Sequence, residues 1–153
     1  MIWNVWSFRT RLRVTGTSDF ARRFSTRELT LNLDAQWVLG GQHWLVEVTE
    51  VPVGFMAHPS RIEWTQRRIV LCTEDFQTSR HAGSIVAHEF GHAAGNTGVL
   101  NRGDEYRSTS PHHADTSSVM NVGQQLRARH FRTVVEQLNL MIPGTRFTIS
   151  GVR

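Results

Sequence analysis

The chain has 153 residues, of which 39% are hydrophobic and 20% are charged. Its 17 basic residues are all arginine and outnumber the 13 acidic residues, which gives a net charge of +4. This length and composition suit one compact domain with a single core and exclude wholesale disorder. The lone cysteine, Cys72, excludes a disulfide-stapled scaffold. We therefore expect residues 1–153 to form one domain, with Cys72 as a small core residue.

The basic charge is scattered along the chain, and none of the known nucleic-acid-binding motifs accompanies it. We expect a mixed, solvated surface and no nucleic-acid partner, with an arginine-based nucleic-acid binder as the alternative. No apolar run approaches the ~18–20 residues needed to cross a bilayer, and the N-terminus lacks the parts of a signal peptide. The sequence predicts a monomer without a membrane span that is cytoplasmic, exported by another route or cut from a larger chain.

The N-terminal half contains strand patterns and one ambiguous helix. Apolar residues alternate with arginines from Trp6 to Val14 and predict a half-buried strand. Capping-box spacing at Ser25 and an apolar stripe as far as Trp37 predict a helix, although alternating leucines in this segment also suit a strand. Two further strands are predicted at His43–Val51 and at the short, buried Ile69–Leu71.

The C-terminal half contains two predicted helices. The first covers Ala82–Ala94 and ends at Gly95. A polar, turn-rich segment runs from Asn96 to Ser118, and its length favours a functional or partly ordered loop. The second helix covers Leu126–Leu140, and Phe147–Val152 suits a terminal strand. The elements together predict an α+β fold.

The residues with the clearest chemistry lie at positions 88–92. His88 and His92 are four positions apart on a predicted helix, so both imidazoles project from one face and can bind one metal ion. Two neutral imidazoles suit Zn²⁺, and a third protein ligand would leave one coordination position for water. Glu89 is placed to take a proton from that water and pass it to a departing amine. The sequence thus predicts one zinc ion with His88 and His92 as ligands and Glu89 as general base.

Neighbouring residues on this helix support a buried site. Val86, Phe90 and Ala93-Ala94 form an apolar face that can anchor the helix in a core and leave the histidines toward a cleft. Gly91 costs a helix roughly 0.5–1 kcal/mol relative to alanine, which predicts that another segment approaches closely there. A surface helix whose histidines pair with Glu89 and solvent is the alternative.

Four motifs follow one another from this helix onward. HEFGHAAGN at 88–96 precedes GDEY at 103–106, SVMN at 118–121 and RARHF at 127–131. Over roughly a third of the chain, the series resembles a family of bacterial zincin metallopeptidases that includes toxin domains attached to type VI secretion spike proteins. An insertion at Thr97–Arg102 and the pair Ala93-Ala94 depart from the pattern of that family.

The resemblance implies a zincin-like fold, in which a mixed sheet packs on the HExxH helix and the C-terminal helix closes the site. It implies zinc-dependent hydrolysis of a peptide or protein substrate and a role in competition between bacteria. For a toxin domain, the implied partners are an immunity protein and a secretion spike carrier. Delivery would then use no signal peptide, and the protein would act in the target cell or its periplasm.

The third zinc ligand has several candidates. Zincins with a histidine six residues after the second one are excluded, because Gly98 occupies that position. The resemblance points to Glu136, since a glutamate from a second helix completes the zinc site in the gluzincin branch. Against this, Glu136 lies about 140° from the apolar stripe of its helix and would pair with Arg132 as an exposed carboxylate. We prefer Glu136, with Asp104 second and Glu105 third.

Other residues have alternative roles. Asp104 would equally suit a carboxylate that accepts the free ring N–H of a zinc-bound histidine. Met120 resembles the methionine turn below the zinc of some zincins and equally suits core packing. Tyr106 and His130 are candidates to donate a hydrogen bond to a tetrahedral oxyanion, with purely structural roles as the alternative. His112-His113 suits a loop better than a ligand pair.

The sequence as a whole predicts a zinc metallopeptidase in which Glu89 helps water to attack a peptide carbonyl. Two other functions stay open. A non-catalytic binding module would keep zinc only as a clamp on its fold, and loss of Glu89 would then change nothing. A zinc amidase acting on cell-wall peptides would share the catalytic core and differ in its cleft.

Overall fold

The computed structural model describes residues 2–52, 54, 59–75 and 85–153. This part of the chain has the predicted mixed α+β character, with four α-helices and two three-stranded sheets. The helices are α1 (Ile2–Trp6), α2 (Asp19–Phe24), α3 (Ile85–Ala93) and α4 (Arg132–Met141). The strands are β1 (Thr10–Gly16), β2 (Glu28–Leu31), β3 (Leu45–Thr49), β4 (Arg61–Glu63), β5 (Arg68–Cys72) and β6 (Thr145–Val152).

The N-terminal strand begins later than predicted, because the chain first forms the short helix α1. Trp6 is fully buried at the end of α1, and its indole N–H donates to the carbonyl of Ala87 at 2.8 Å. Phe8 is exposed and has a φ of 59°, so the chain changes direction there before β1 starts. Within β1 the predicted alternation is confirmed, since Leu12 and Val14 are buried.

The helix predicted from Ser25 to Trp37 is wrong. The helix of this region is α2, which lies earlier and is capped by Ser18, whose hydroxyl accepts from the N–H of Ala21 at 2.9 Å. The alternating leucines instead form β2, in which Leu29 pairs with a residue of β1. Residues 32–44 contain neither helix nor strand. Pairing with β1 supplies backbone hydrogen bonds from a distant segment and overrides the local helix signal.

The first sheet has β1 at its centre, paired antiparallel with β2 and β6. β6 contains the predicted terminal strand Phe147–Val152, so that prediction is confirmed. Helices α2 and α4 contribute to the core on this sheet. That core centres on four buried residues: Leu12, Val14, Ala21 and Phe147.

The second sheet is mixed, because β5 pairs parallel with β3 and antiparallel with β4. β5 contains the predicted strand Ile69–Leu71, and Cys72 at its end is buried, as expected for a small core residue. β3 covers the middle of the predicted strand His43–Val51. Helix α3 contacts both β4 and β5, so this mixed sheet packs on the HExxH helix.

Helix α3 confirms the prediction of a helix up to Gly95, which adopts a φ of 102°. The predicted start at Ala82 lies outside the described residues. As predicted, His88 and His92 lie toward a cleft, and Phe90 packs against the core. Val86 and Phe90 are only partly buried, whereas both histidines are buried, because the loop after α3 lies next to them.

The C-terminal half encloses α3. A 3₁₀ turn at Ala128–Phe131 precedes α4, so the regular helix begins later than the predicted Leu126. The loop Asn96–Ser118 has one short 3₁₀ helix, Gly98–Leu100, and otherwise lacks helix and strand. The main core joins α1, α3 and this half through Trp6, Ala87, Val119, Met120, Leu126 and Phe131. None of the helices in the described ranges is long and apolar enough to cross a membrane.

Candidate metal centre

The two histidines of α3 point their ring nitrogens at the same place. The Nε2 atoms of His88 and His92 are 3.2 Å apart, with the ring planes nearly perpendicular. This is the geometry expected from their spacing of one helical turn. Both side chains are buried, so the pair lies at the base of a cleft rather than on an open surface.

Backbone carbonyls fix the tautomers of these rings. Nδ1 of His88 lies 2.8 Å from the carbonyl oxygen of Val119, and Nδ1 of His92 contacts the carbonyl oxygen of Asn96. A carbonyl can only accept, so in both rings Nδ1 carries the hydrogen and donates it. The Nε2 atoms therefore face each other, and each would offer its lone pair to a metal ion bound between them.

A third donor atom comes from Asp104 in the loop after α3. Its Oδ1 lies 3.3 Å from Nε2 of His88 and 3.0 Å from Nε2 of His92. Its Oδ2 accepts from Nε of Arg107 at 3.0 Å. Tetrahedral ligands about 2.0–2.1 Å from zinc are separated by about 3.3 Å, which is close to the distances between these three atoms. Among the described residues, His88, His92 and Asp104 are the group that can hold a metal ion.

Glu136, the preferred third ligand from the sequence, is not brought to the histidines. Its side chain is 47% exposed and pairs with Nη2 of Arg102 at 3.2 Å and with Nε of Arg132 at 2.9 Å. These arginines hold its pKa below the usual value, with the Arg132 hydrogen bond as the largest cause. This location follows from helix geometry, because the face of α4 opposite its apolar stripe turns to solvent. The second candidate, Asp104, lies next to the histidines instead.

Glu89 lies beside the three donor atoms and lines the same cleft. It is 4% exposed, and its Oε2 has no hydrogen-bond partner among the described residues. Burial raises the pKa of this carboxyl, while the nearby His92 and His88 act in the opposite direction. A buried carboxyl with one free oxygen at the edge of a metal-binding group has the position of a general base.

The charge of Asp104 affects its neighbour Tyr106. Burial disfavours the charged form of Asp104, but its contacts with His88 and His92 outweigh this effect and hold the pKa of Asp104 well below its usual range. The ring of Tyr106 stacks against that of His88 with centroids 6.1 Å apart. Burial, followed by the charge of Asp104, raises the pKa of Tyr106 to about 12. The phenol therefore stays protonated and hydrogen-bonds to Asp104, and its residue lines the cleft.

The SVMN segment passes directly beneath α3. A Cβ atom on Gly91 would overlap Sδ of Met120 and lie 2.9 Å from the ring of Trp6. The expectation that Gly91 permits close approach is thus confirmed. Met120 is 1% exposed and packs in the core, and the preceding carbonyl, of Val119, orients His88. One short segment both supports the helix and aligns a ligand.

Asn96 ties the end of α3 to the C-terminal half. Its side-chain amide donates to the carbonyls of Gly91 and His130, each at 2.9 Å. Its own carbonyl aligns His92. Gly95 lies against the side chain of Thr133, which leaves no room for a Cβ atom. This explains why the motif continues to GN after its second histidine.

Glu105 and His130, two other candidates, belong to a buried network behind the metal-binding group. Glu105 accepts two hydrogen bonds from Arg129 at 2.6 and 2.8 Å, and these hold its pKa below the usual range against the effect of burial. His130 is 1% exposed; its Nδ1 accepts from the backbone N–H of Arg127 and its Nε2 faces Glu105. It does not line the cleft, whereas Tyr106 does.

Asp115 completes this network on the outer side. It accepts from Arg127 at 2.8 Å and from Arg129 at 2.6 Å. The two guanidinium groups lower the pKa of Asp115 to about 2. Each charged residue of the DEY and RARHF motifs near the site therefore has a defined position: Asp104 at the metal-binding group, and the others in the supporting network.

The cleft above these residues has a volume of about 810 Å³. One wall is formed by residues 59–62 at the start of β4, and the other by the loop after α3 and the beginning of α4. His112 lies on its rim, whereas His113 is not part of the lining. Comparisons of the chain with protein-family models, curated proteins and solved structures give no match.

Three functional groups could not be found from residue types alone. Two are the carbonyls of Val119 and Asn96, and every residue has a carbonyl. The third is Arg107, which orients Asp104 through Oδ2. The signal available in the sequence was indirect: Val119 and Asn96 belong to the SVMN and HEFGHxxGN motifs, and Arg107 directly follows DEY.

Proposed function

We propose that this chain is a zinc-dependent metallopeptidase with a zincin-like site. One observation carries the proposal: the Nε2 lone pairs of His88 and His92 and a carboxylate oxygen of Asp104 converge within about 3 Å of one another. Each of these three atoms has a lone pair that it can donate to one metal ion placed between them. Two imidazoles and one carboxylate are donors that zinc accepts, and three protein ligands leave a position open to the cleft.

In the proposed reaction, the metal would activate water, and Glu89 would act as the general base. When bound, zinc would lower the pKa of a water molecule and polarise a substrate carbonyl. The unpartnered oxygen of Glu89 would take a proton from that water, and the raised pKa of this carboxyl would help it to hold the proton and pass it to the departing amine. Tyr106 is a candidate to donate a hydrogen bond to the oxygen that gains negative charge.

An extended peptide suits the cleft. Among the described strands, β4 is at the edge of its sheet, and Arg61 and Ile62 of this strand line the cleft. An edge strand offers backbone N–H and C=O groups that can pair with a peptide lying alongside. Such pairing would hold a peptide bond near Glu89 without depending on particular side chains.

The decisive test compares Glu89→Gln with the wild-type protein. We expect about one zinc per wild-type chain by elemental analysis and cleavage of a quenched fluorescent peptide library. Glu89→Gln should retain zinc and lose at least about 100-fold in cleavage rate, because the base contributes ~10²–10⁴-fold. Glu28→Gln, at an exposed position of strand β2, is the matched control and should cleave like the wild type.

The same experiment separates the alternatives. A module that uses zinc only as a clamp would bind zinc and cleave nothing, in the wild type as in the variant. A zinc amidase would leave peptide libraries intact and release peptides from purified cell-wall fragments. Cleavage of peptides by Glu89→Gln at the wild-type rate would overturn the proposed mechanism.

A further inference from the structure

Arginines outnumber carboxylates in the lining of the cleft. Its titratable residues other than histidine and Tyr106 are five arginines and three carboxylates. The arginines are Arg61, Arg102, Arg107, Arg129 and Arg132, and the carboxylates are Glu89, Asp104 and Glu105. Three more carboxylates, Glu63, Asp115 and Glu136, pair with these arginines from outside the lining. An arginine that can leave such a pair would, beside a bound zinc ion, favour an anionic group of a ligand.

Most of these arginines have fixed structural partners. Arg129 binds Glu105 and Asp115 with side-chain contacts of 2.6–2.8 Å, and Arg107 holds Asp104. Arg61 makes two hydrogen bonds to Glu63. A substrate that recruited Arg129 or Arg107 would have to break the network that supports the metal-binding group.

Arg132 differs from these arginines in its partner, which lies outside the network that supports the metal-binding group. It is at the first turn of α4 with an exposed side chain, and within the described chain its ion pair is a single hydrogen bond to Glu136 at 2.9 Å. An exposed pair at this i,i+4 spacing contributes little to stability. Its guanidinium is thus available to a ligand at low cost.

Glu136 does not need Arg132. Arg102 also binds this carboxylate, at 3.2 and 3.4 Å, and is itself held by the hydroxyl of Thr133 at 2.7 Å. Two guanidinium groups therefore share one carboxylate at this corner of the cleft. If Arg132 turned to a ligand carboxylate, Glu136 would keep Arg102, and no charge would be left without a partner.

We propose that the cleft selects peptides with an acidic side chain and that Arg132 binds the carboxylate of that residue. This inference rests on the proposed peptidase function for its substrate class. Arginine suits the role because its planar guanidinium can form two parallel hydrogen bonds with a carboxylate. Arg132 is then a specificity-determining residue, outside the group that would bind the metal.

Measurements of peptide binding can test the preference for acidic peptides separately from cleavage. The probes are fluorescein-labelled heptapeptides of glycine and alanine that carry one Glu at each position in turn, each with a Gln twin. Their affinity for zinc-loaded Glu89→Gln protein is measured by fluorescence anisotropy at low and high salt. We expect at least one Glu peptide to bind about tenfold more tightly than its Gln twin, and this ratio should fall with salt.

Two arginine variants test whether Arg132 causes the preference for Glu peptides. Adding Arg132→Gln should bring the Glu and Gln peptides to within about twofold of each other, whereas Arg146→Gln, on the exposed side of β6, should leave the preference unchanged. Equal binding of every pair, no binding of any peptide, or a preference that survives Arg132→Gln would overturn the inference. Cleavage by the wild type without acidic preference would leave the peptidase intact and reject only the specificity. Tight acidic binding without any cleavage would reject only the peptidase.

Discussion

Oδ1 of Asp104 lies 3.0 Å from Nε2 of His92, so a loop carboxylate and a helix histidine share one small space. The two residues come from different elements, and separate interactions hold each in place. The ring of His92 is fixed by the carbonyl of Asn96, and Oδ2 of Asp104 is fixed by Arg107. This arrangement makes Asp104, rather than a residue of the last helix, the partner of the two histidines.

The first prediction concerns zinc affinity. Asp104→Asn removes the negative charge from the group and should weaken zinc binding by at least about 100-fold, since even supporting residues of zinc sites contribute ~10–100-fold. Competition with a fluorescent chelator measures this affinity. The matched control is Glu136→Gln, which removes a carboxylate that pairs only with arginines among the described residues. A larger loss in Glu136→Gln than in Asp104→Asn would contradict the ligand assignment.

The second prediction concerns the approach of Met120 to α3. Gly91→Ala should destabilise the zinc-free protein by about 1–3 kcal/mol despite the higher helix propensity of alanine, because its Cβ would overlap Sδ of Met120. Chemical denaturation measures the free energy of unfolding. The loss of stability caused by Gly91→Ala should be smaller in a protein that already carries Met120→Ala. Gly40→Ala serves as the control, because a Cβ atom at position 40 has open space. A Gly91→Ala variant more stable than the wild type would show that the contact is absent.

The third prediction concerns acid stability. The pKa of Asp115 falls to about 2 in the folded protein, because Arg127 and Arg129 favour the charged carboxylate. A lowered pKa gives stability that is present above the unfolded value of about 3.9 and is lost as the pH falls through the folded value. Asp115→Asn should therefore lower the free energy of unfolding by about 1–2 kcal/mol at pH 7, after allowance for solvent screening, with a smaller effect near pH 2.

Denaturation series at several pH values check this prediction. Asp19→Asn is the control, since Asp19 is highly exposed and pairs only with Arg22 among the described residues. A loss of stability in Asp115→Asn that is as large at pH 2 as at pH 7 would mean that the charge of Asp115 is not responsible.

Local patterns in the sequence were sufficient for several elements. Helix α3 and its end at Gly95, the buried strand Ile69–Leu71 and the strand at Phe147 each follow from periodicity within the segment itself. The same local chemistry predicted the convergence of His88 and His92, because residues four apart on a helix share a face.

Other features of the fold and of the candidate site depend on contacts between segments that are far apart in the sequence. The leucines after Ser25 carried both helix and strand signals, and pairing with β1 selected the strand. Glu136 and Asp104 were both plausible ligands, and the choice depended on how a loop folds back over α3. Burial of Trp6 against Ala87 likewise depends on a segment far away in the chain. A single sequence carries no direct information on such contacts.

A crystal structure of the zinc-loaded protein, with anomalous data collected at the zinc edge, would test the proposed metal site most directly. We expect one strong anomalous peak, with Nε2 of His88, Nε2 of His92 and Oδ1 of Asp104 within about 2.0–2.3 Å of it and Glu89 beside it without binding. A peak at another place, a ligand set that includes Glu136, or zinc-soaked protein without an ordered peak would contradict the proposed site.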